Sequence, residues 1–322
     1  AEDAYDESHH AREIARHLGT THHEKILSHK DALDIIPHIP GIYDEPFADS
    51  SQIPTTLICQ HARQDITVAL TGDGGDEVFG GYQRAISGPG LWSKIALMPR
   101  PLRRLFAWMI SSLPKSVIRF INPGYPEWQD RLSKVASALS AKDFDDFTMT
   151  FLTQWKDPFD LVISADDTSI PLTQYSYHPL GLSRREMMMF KDSLHYLPND
   201  VLTKVDRASM AVSLEVRSPL LDVRLFEYMW SLPEDMKIQG GRGKIMLRRL
   251  LEEHFPRALF DRHKQGFSVP VRQWLRGPLK QWAGDYLHQE DPYLHQSVIE
   301  DSWDRFQAGD DAHFGKLWTV LM

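Results

Sequence analysis

Residues 66–82 read ITVALTGDGGDEVFGGY. The first six, 66–71, are an apolar run that predicts a buried strand. The next six, 72–77, are rich in glycine and acidic residues and predict a turn that opens a helix. Glycine lets the backbone approach a ligand closely, and the start of a helix offers unpaired N–H groups to phosphate. Ligands of open α/β sheets bind beyond the carboxyl ends of strands, which is where this turn is expected.

Two carboxylates of the turn, Asp73 and Asp76, are three residues apart at the expected strand end. They are candidates for holding magnesium on a polyphosphate, because Mg²⁺ prefers carboxylate oxygens and substrate phosphates. The stretch is not a dinucleotide fingerprint, since Glu77 stands where a glycine would be required. A plain turn before a helix or a calcium loop is the alternative. The preceding strand and residues 79–82 favour the nucleotide interpretation.

The segments around this turn alternate between helix and strand signals. Helices are predicted at 8–18 and 53–63, and strands at 24–28 and 66–71. Alternation of this kind predicts an α/β fold with a parallel sheet.

The rest of the chain is predicted to be mainly helical. Residues 100–110 are basic and then amphipathic. A membrane-surface helix is an alternative there, but an ordinary packed helix with a charged face is favoured. The predicted parts are an α/β core at 1–87, a helical insertion at 88–180 and a helical remainder at 181–322. Later helices are expected at about 183–196, 200–213, 222–231, 243–254, 270–287 and 296–308.

A second polar group lies between residues 197 and 222. Lys204 and Arg207 are three residues apart and share a helix face. Charged groups inside an apolar run are costly unless they are paired or bound to a ligand. Structural ion pairs, such as Glu215 with Arg217 or with Arg207, explain the residues equally well.

A third candidate is the loop at 262–270, which reads RHKQGFSVP. Its three potentially cationic side chains suit a departing pyrophosphate, although a short basic loop is more often a solvated surface. Residues 240–245 superficially resemble a P-loop. They fail the test, because the first glycine would fall at Ile238 and the Ser/Thr at Ile245.

Composition excludes several other classes of function. The formal net charge is −8, so no overall basic field is available to hold nucleic acid. Cys59 is the single cysteine, which fits a reducing cytoplasm. No apolar stretch approaches the length of a membrane span and the first residues show no signal-peptide pattern, so we expect a cytoplasmic protein without firm membrane association.

Taken together, these stretches resemble the glutamine-hydrolysing asparagine synthetase family, in its C-terminal synthetase domain. The resemblance also rests on residues 5–7 and 22–23 and on 44–55, which read DEPFADSSQIPT. These motifs occur in the family's order over nearly the whole chain. They imply an α/β fold with a doubly wound parallel sheet of the ATP-pyrophosphatase (adenine nucleotide alpha hydrolase-like) type, with helical additions.

The resemblance also implies parts that these residues do not contain. The family's first strand, with a Ser-Gly-Gly-x-Asp-Ser phosphate loop, is missing, and so is an N-terminal glutaminase domain. Cys59 is internal and cannot be that domain's nucleophile. We therefore expect the 322-residue chain to be a fragment that is inactive by itself.

The implied reaction uses ATP and Mg²⁺. The aspartate side-chain carboxylate is adenylated and then amidated by ammonia from the glutaminase domain, with release of AMP and pyrophosphate. One alternative is another carboxylate, such as a surface-polysaccharide uronate, and a second is ring closure as in β-lactam synthetases. Outside enzymes, the alternative is a non-catalytic nucleotide-binding module. The resemblance is compatible with a homodimer.

Roles for individual residues follow from the same resemblance. Asp76 would bind Mg²⁺ and pyrophosphate, and Lys264 would stabilise charge as pyrophosphate leaves. Asp73 stands where many members carry a glutamate that contacts or deprotonates ammonia, and it is one methylene shorter. Arg207 would contact the phosphates and completes the catalytic set with Asp73 and Lys264. The other positions are nucleotide- or pyrophosphate-binding Thr71, Gly72, Gly74 and Gly75, and acceptor-binding Glu215 and Arg217.

Overall fold

The structure, a computed structural model, describes residues 7–112, 128–155, 158–164, 181–261 and 269–322. These residues form a mostly helical α/β protein with a small parallel sheet. Internal contacts divide the chain into two units: the first unit is 1–86 with 189–270, and the second unit is 87–188 with 271–322. The sequence analysis predicted three parts, in which 88–180 is an insertion between 1–87 and 181–322. That division of the chain stays a prediction.

Helices make up most of the described structure. In the first half of the chain they are α1 (Ser8–Leu18), α2 (His29–Ile35), α3 (Ile39–Tyr43), α4 (Gln52–Ala62), α5 (Gly75–Phe79), α6 (Gln83–Ala96), α7 (Arg100–Ser111), α8 (Trp128–Ser140) and α9 (Phe144–Met149). In the second half they are α10 (Arg184–Lys191), α11 (Thr203–Met210), α12 (Val223–Ser231), α13 (Ile245–His254), α14 (Arg257–Phe260), α15 (Val271–Arg276), α16 (Lys280–Leu287), α17 (Gln296–Gln307) and α18 (Phe314–Leu321).

Two strands, β1 (Val68–Leu70) and β2 (Glu215–Arg217), pair in parallel within the first unit. Ala69 lies opposite Val216, and both pack on a buried cluster of Cys59, Ala208 and Leu214. Their neighbours along each strand point to the other face, as the two-residue period of a strand requires.

The prediction of a buried strand is therefore correct for only one face. Leu70 is 73% exposed, because no described element covers the face on which it lies. The predicted strand at 24–28 is wrong: these residues form no strand in the structure, since no ladder partner pairs with them among the described residues.

Helix predictions succeed where local signals dominate. Helix α1 ends at Gly19, whose φ of 67° is the left-handed conformation expected after a helix. The helices predicted at 183–196 and 200–213 are instead joined by a π-helical stretch, Asp192–Leu202, that contains Pro198. The wider π turn accommodates a residue that cannot donate a backbone hydrogen bond.

The second unit has its own aromatic core. Trp92, Phe144 and Phe147 pack together, and the buried Arg103 of α7 lies 5.2 Å from the Trp92 ring centroid. The same arginine donates to the Ala141 carbonyl at 3.3 Å. The sequence predicted that α7 would turn a charged face outward. That prediction holds for Arg100 and Arg104, which are exposed, but the helix also buries Arg103 and exposes large apolar side chains.

In the first unit a buried polar cluster connects the segment before α4 to α11. Lys204 donates to Asp49 at 2.7 Å and to Ser51 at 2.8 Å, and the Ser51 hydroxyl also donates to Asp49 at 2.6 Å. Burial opposes ionisation of Asp49, but the Lys204 charge and these hydrogen bonds outweigh it and lower the pKa. The sequence placed Lys204 beside Arg207; the structure pairs it with Asp49 instead.

Asp200, in the π-helical stretch, is the residue of this cluster whose ionised form is least favoured. Its Oδ1 is buried without a hydrogen-bond partner. Burial and the nearby charge of Asp49 raise the pKa of Asp200 to about 7. The folded state therefore binds a proton that the unfolded state releases near the ordinary aspartate pKa of 3.8. The contribution of Asp200 to stability consequently falls as pH rises between those two values.

We predict that Asp200→Asn stabilises the first unit more at pH 8 than at pH 5. The amide stays neutral, whereas the wild-type carboxylate must ionise in a buried position at the higher pH. The difference should be on the order of 1 kcal/mol or more in the free energy of unfolding. Urea unfolding at both pH values measures it, with the exposed Asp206→Asn on α11 as the control. Equal effects at the two pH values would contradict the prediction.

Candidate functional site

The glycine-rich turn follows β1 directly and is held in place by its backbone. The Thr71 N–H donates to the Arg217 carbonyl at 2.9 Å, which extends the sheet by one residue. Gly74 immediately precedes α5 and has a φ of 85°, so the chain turns there in a conformation that L-residues rarely adopt. A Cβ at Gly74 would also overlap the side chain of Leu221. The predicted turn that opens a helix is confirmed, with helix α5 starting at Gly75.

Asp76, the predicted metal ligand, lies in the first turn of α5. Its Oδ1 is 3.1 Å from the Nζ of Lys244, and the side chains of Asp76 and Lys244 are 24% and 33% exposed. A carboxylate and an ammonium group are thus held next to each other at a partly open position beyond the sheet.

Lys244 occupies this position through an unusual backbone conformation. Its φ of 58° is left-handed, which costs a non-glycine residue about 1–2 kcal/mol. The surroundings compensate: the Lys244 N–H donates to the Phe79 carbonyl at 3.0 Å, and Gly243 lies against the Gly80 carbonyl, where a Cβ would clash. Strain of this kind often occurs at functional positions, where the fold enforces one geometry.

Gly81 is the residue that lets the pair form. A Cβ there would overlap both the Asp76 carboxylate and the Lys244 side chain. Of the double glycine at the end of the motif, Gly81 is therefore required for space around the Asp76–Lys244 pair, whereas a Cβ at Gly80 would overlap Ile238.

Behind the loop, Glu77 begins a chain of buried polar contacts. The Tyr82 hydroxyl donates to Glu77 at 2.5 Å, and the Arg84 guanidinium lies 4.0 Å from the Tyr82 ring centroid and 4.8 Å from that of Tyr196. Arg84 then pairs with Asp192 at 2.9 Å. Helix α5 is thereby tied to the start of the π-helical stretch.

This chain of contacts sits in an environment that disfavours ionisation. Burial raises the pKa of Asp192 to about 6, because the favourable Arg84 charge offsets desolvation only in part and Glu77 adds repulsion. Burial and the Glu77 carboxylate likewise raise the pKa of Tyr82, which therefore keeps its proton and remains a donor to Glu77.

Of the predicted acceptor residues, Arg217 lies at the same sheet edge as the turn, and Glu215 lies at the start of β2, opposite Val68. Because β1 and β2 are parallel, their carboxyl ends meet, and the Thr71 hydroxyl is 3.0 Å from that of Ser218. Glu215 and Arg217 form an ion pair at 2.7 Å, but both are largely exposed. An exposed pair of this type contributes little to stability, so it does not explain why the residues are there.

The remaining predicted positions differ in their surroundings. Asp73 is partly exposed, and a Cβ at Gly72 would have nothing within 4 Å. Gly75 is buried against Leu220. Arg207 is exposed on α11, and Lys264, with its loop at 262–268, lies outside the described residues. The roles predicted for these residues stay predictions.

The donor chemistry around Asp76 fits a magnesium-bound polyphosphate. Mg²⁺ binds the oxygens of carboxylates and of substrate phosphates, whereas an ammonium group binds phosphate oxygens directly. Asp76 would therefore hold the metal and Lys244 a phosphate.

Lys244 is the residue that the sequence reasoning missed. It has no predicted role, because residues 240–245 do not have the spacing of a P-loop. A signal was present in the glycines that surround the lysine, which indicate close approach of backbone rather than a conventional phosphate loop. The pairing with Asp76 joins positions 168 residues apart, which no local pattern reports.

Within the described part of the chain, no helix combines the length and apolar character needed to cross a membrane.

Comparison with known proteins adds an independent finding. A family model described as asparagine synthase matches residues 1–322. The glutamine-hydrolysing asparagine synthetase 1 of Bacillus subtilis is 28% identical over 316 residues, covering 97% of this chain and 48% of the relative. Asparagine synthetase 3 of the same organism is 26% identical over 307 residues, covering 94% of this chain and 42% of the relative.

A more distant relative, the amidase chyE of Penicillium rubens, is 24% identical over 234 residues, covering 67% of this chain and 34% of the relative. The chain thus spans about half the length, or less, of the curated relatives that it matches. The family match extends over all 322 residues and includes the loop, the strand end and Lys244. The chain belongs to the asparagine synthase family.

Proposed function

We propose that this chain is the synthetase part of a glutamine-dependent asparagine synthetase. In the proposed reaction the side-chain carboxylate of aspartate attacks the α-phosphate of ATP, giving an acyl-adenylate and pyrophosphate. Ammonia then displaces AMP to form the amide. Adenylation is required because a carboxylate is a poor electrophile at neutral pH.

The observation that carries the proposal is the Asp76–Lys244 pair beyond the end of β1. A fixed anion and cation 3.1 Å apart match the two charges of a magnesium–polyphosphate group. Positioning and charge neutralisation are the protein's main contributions in such chemistry, since no covalent step on the protein is needed. Bound Mg²⁺ would supply neutralisation of the phosphate charge.

The other residues take roles in keeping with their places. Thr71 and Gly72 lie at the strand end, where a nucleotide would enter, and Asp73 would contact the incoming ammonia. Glu215 and Arg217, at the start and the end of the neighbouring strand β2, would face the acceptor. Arg207 would bind phosphate.

The finer features of fold and assembly also belong to the proposal. We place the small parallel sheet in a doubly wound sheet of the ATP-pyrophosphatase type. The open face of β1 supports this, because parallel sheets are normally covered on both faces. Ammonia would come from a glutaminase domain, and the protein would work in the cytoplasm.

The acceptor is the least constrained element. A second candidate is amidation of another carboxylate, and the similarity to a relative named as an amidase supports keeping it. The ion pair of Glu215 and Arg217 is exposed along β2 and offers both charges there, which suits an acceptor that carries an amino group and a carboxylate, as aspartate does.

We predict that the full-length protein catalyses ATP–pyrophosphate exchange that depends on aspartate. Exchange reports adenylation without requiring glutamine, so it isolates the chemistry assigned to this chain. Radiolabelled pyrophosphate incorporation into ATP measures it, with glutamate as the control carboxylate. Exchange with a uronate but not with aspartate would favour the second candidate. If none of the carboxylates tested supported exchange, both candidates would be contradicted.

Asp76→Asn in the full-length protein should abolish the exchange rather than only the amide-forming step. A neutral amide cannot balance Mg²⁺, and charge stabilisation by a metal is typically worth several kcal/mol. Asp304→Asn, an exposed aspartate on α17, is the matched control and should retain exchange. If Asp76→Asn exchanged at the wild-type rate, Asp76 would be only a turn residue.

Lys264→Ala should lower kcat much more than it raises KM for ATP. Charge develops on the bridging oxygen only as the phosphate bond breaks, so a cation there favours the transition state over bound ATP. Losing such a donor commonly reduces the rate on the order of a hundredfold. Steady-state release of pyrophosphate gives both constants, with Lys30→Ala as the control. A raised KM at constant kcat, or no change, would remove Lys264 from the catalytic set.

A further inference from the structure

Helix α7 presents an apolar face to solvent. Trp108 is 66% exposed, Met109 50% and Leu105 49%, and Leu97, just before the helix, is 86% exposed. On a helix, positions 101, 105, 108 and 112 fall on one side, opposite the buried Arg103 and Ala107. The face is therefore continuous.

The inner side of α7 is already occupied within the second unit. Arg103 stacks on Trp92 and donates to the Ala141 carbonyl, and Ala107 is buried. The outward apolar side chains are consequently not a poorly packed part of this core. Contiguous exposed apolar surface of this kind usually marks an interaction site.

The charge around this face is one-sided. Residues 87–112 contain four Lys and Arg residues and no Asp or Glu, in a chain whose formal net charge is −8, and three of the four are exposed. Arg100 and Arg104 border the apolar face at its edge and are exposed, as is Lys94. Charges act over about 10 Å at ordinary salt, so an approaching surface would sense this local cationic region rather than the net negative charge.

We propose that this face, formed by Leu97 and the outer side of α7, binds reversibly to the anionic phospholipid surface of a membrane. Tryptophan and leucine on one side of a helix with arginines at its border are the features of helices that lie in the membrane interface. Association through anionic headgroups explains both the exposed apolar residues and the absence of acidic ones.

A second copy of the chain fits this face less well. Self-association through an isologous contact would join two copies of the same cationic face, with no acidic residue of 87–112 to offset the charge, and like charges across an interface oppose binding. An anionic bilayer meets the arginines with opposite charge and accepts the apolar side chains.

Vesicle sedimentation with the full-length protein tests the proposal. We expect binding to phosphatidylcholine vesicles that contain phosphatidylglycerol, weak binding to pure phosphatidylcholine, and loss of binding at high salt. Reversing Arg100 and Arg104 to Glu should reduce the partition coefficient on the order of tenfold. Leu105→Asp should reduce it similarly by placing a charge in the apolar face.

Matched controls separate this face from general charge effects. Arg16→Glu with Lys30→Glu reverses two exposed cations elsewhere, and Leu250→Asp alters an exposed leucine on α13; all should bind like the wild type. Circular dichroism checks that each variant is folded. The proposal is overturned if anionic vesicles are not bound, if the α7 variants bind like the controls, or if sedimentation shows self-association that Leu105→Asp abolishes.

Discussion

The parallel pairing of β1 with β2 is the contact on which the candidate site depends. Each strand is three residues long, yet together they bring positions 71 and 217 within one hydrogen bond of each other. A parallel pair requires a long crossover, and here more than 140 residues separate the strands. The entropic cost of closing so long a segment grows only slowly with its length, so the packing of Ala69 and Val216 on their cluster suffices to hold the edge.

Space around the loop is the next constraint. Asp76 and Lys244 approach to 3.1 Å because Gly81 has no side chain and because Gly243 lets the chain of Lys244 lie against Gly80. The left-handed conformation of Lys244 costs energy that a surface lysine would not need to spend. Buried contacts from Glu77 through Arg84 to Asp192 hold the other side of the loop, so its adjacent carboxylates, Asp76 and Glu77, face different environments.

Local patterns predicted a substantial part of this arrangement. The apolar run at 66–71 and the glycines after it predicted a strand followed by a turn and a helix, and the structure has all three. Gly19 predicted the end of α1 correctly, because a left-handed residue after a helix is a local requirement. Predictions failed where neighbours from distant parts of the chain decide. Leu70 is exposed because no described element covers it, and α7 buries Arg103, one of its three arginines, because Trp92 offers a ring to stack on.

By itself, the sequence determined the family, the place of the glycine-rich loop and the chemical character of Asp76, because these follow from residue types and their short-range spacing. Only the tertiary structure decided which cation stands beside Asp76 and that Lys204 pairs with Asp49 rather than sharing a site with Arg207. It also decided that large apolar side chains of α7 are exposed to solvent. The physical reason is the same in each case. Side chains that are far apart along the chain become neighbours only through packing, and burial then sets which charges are paired and which apolar groups remain in water.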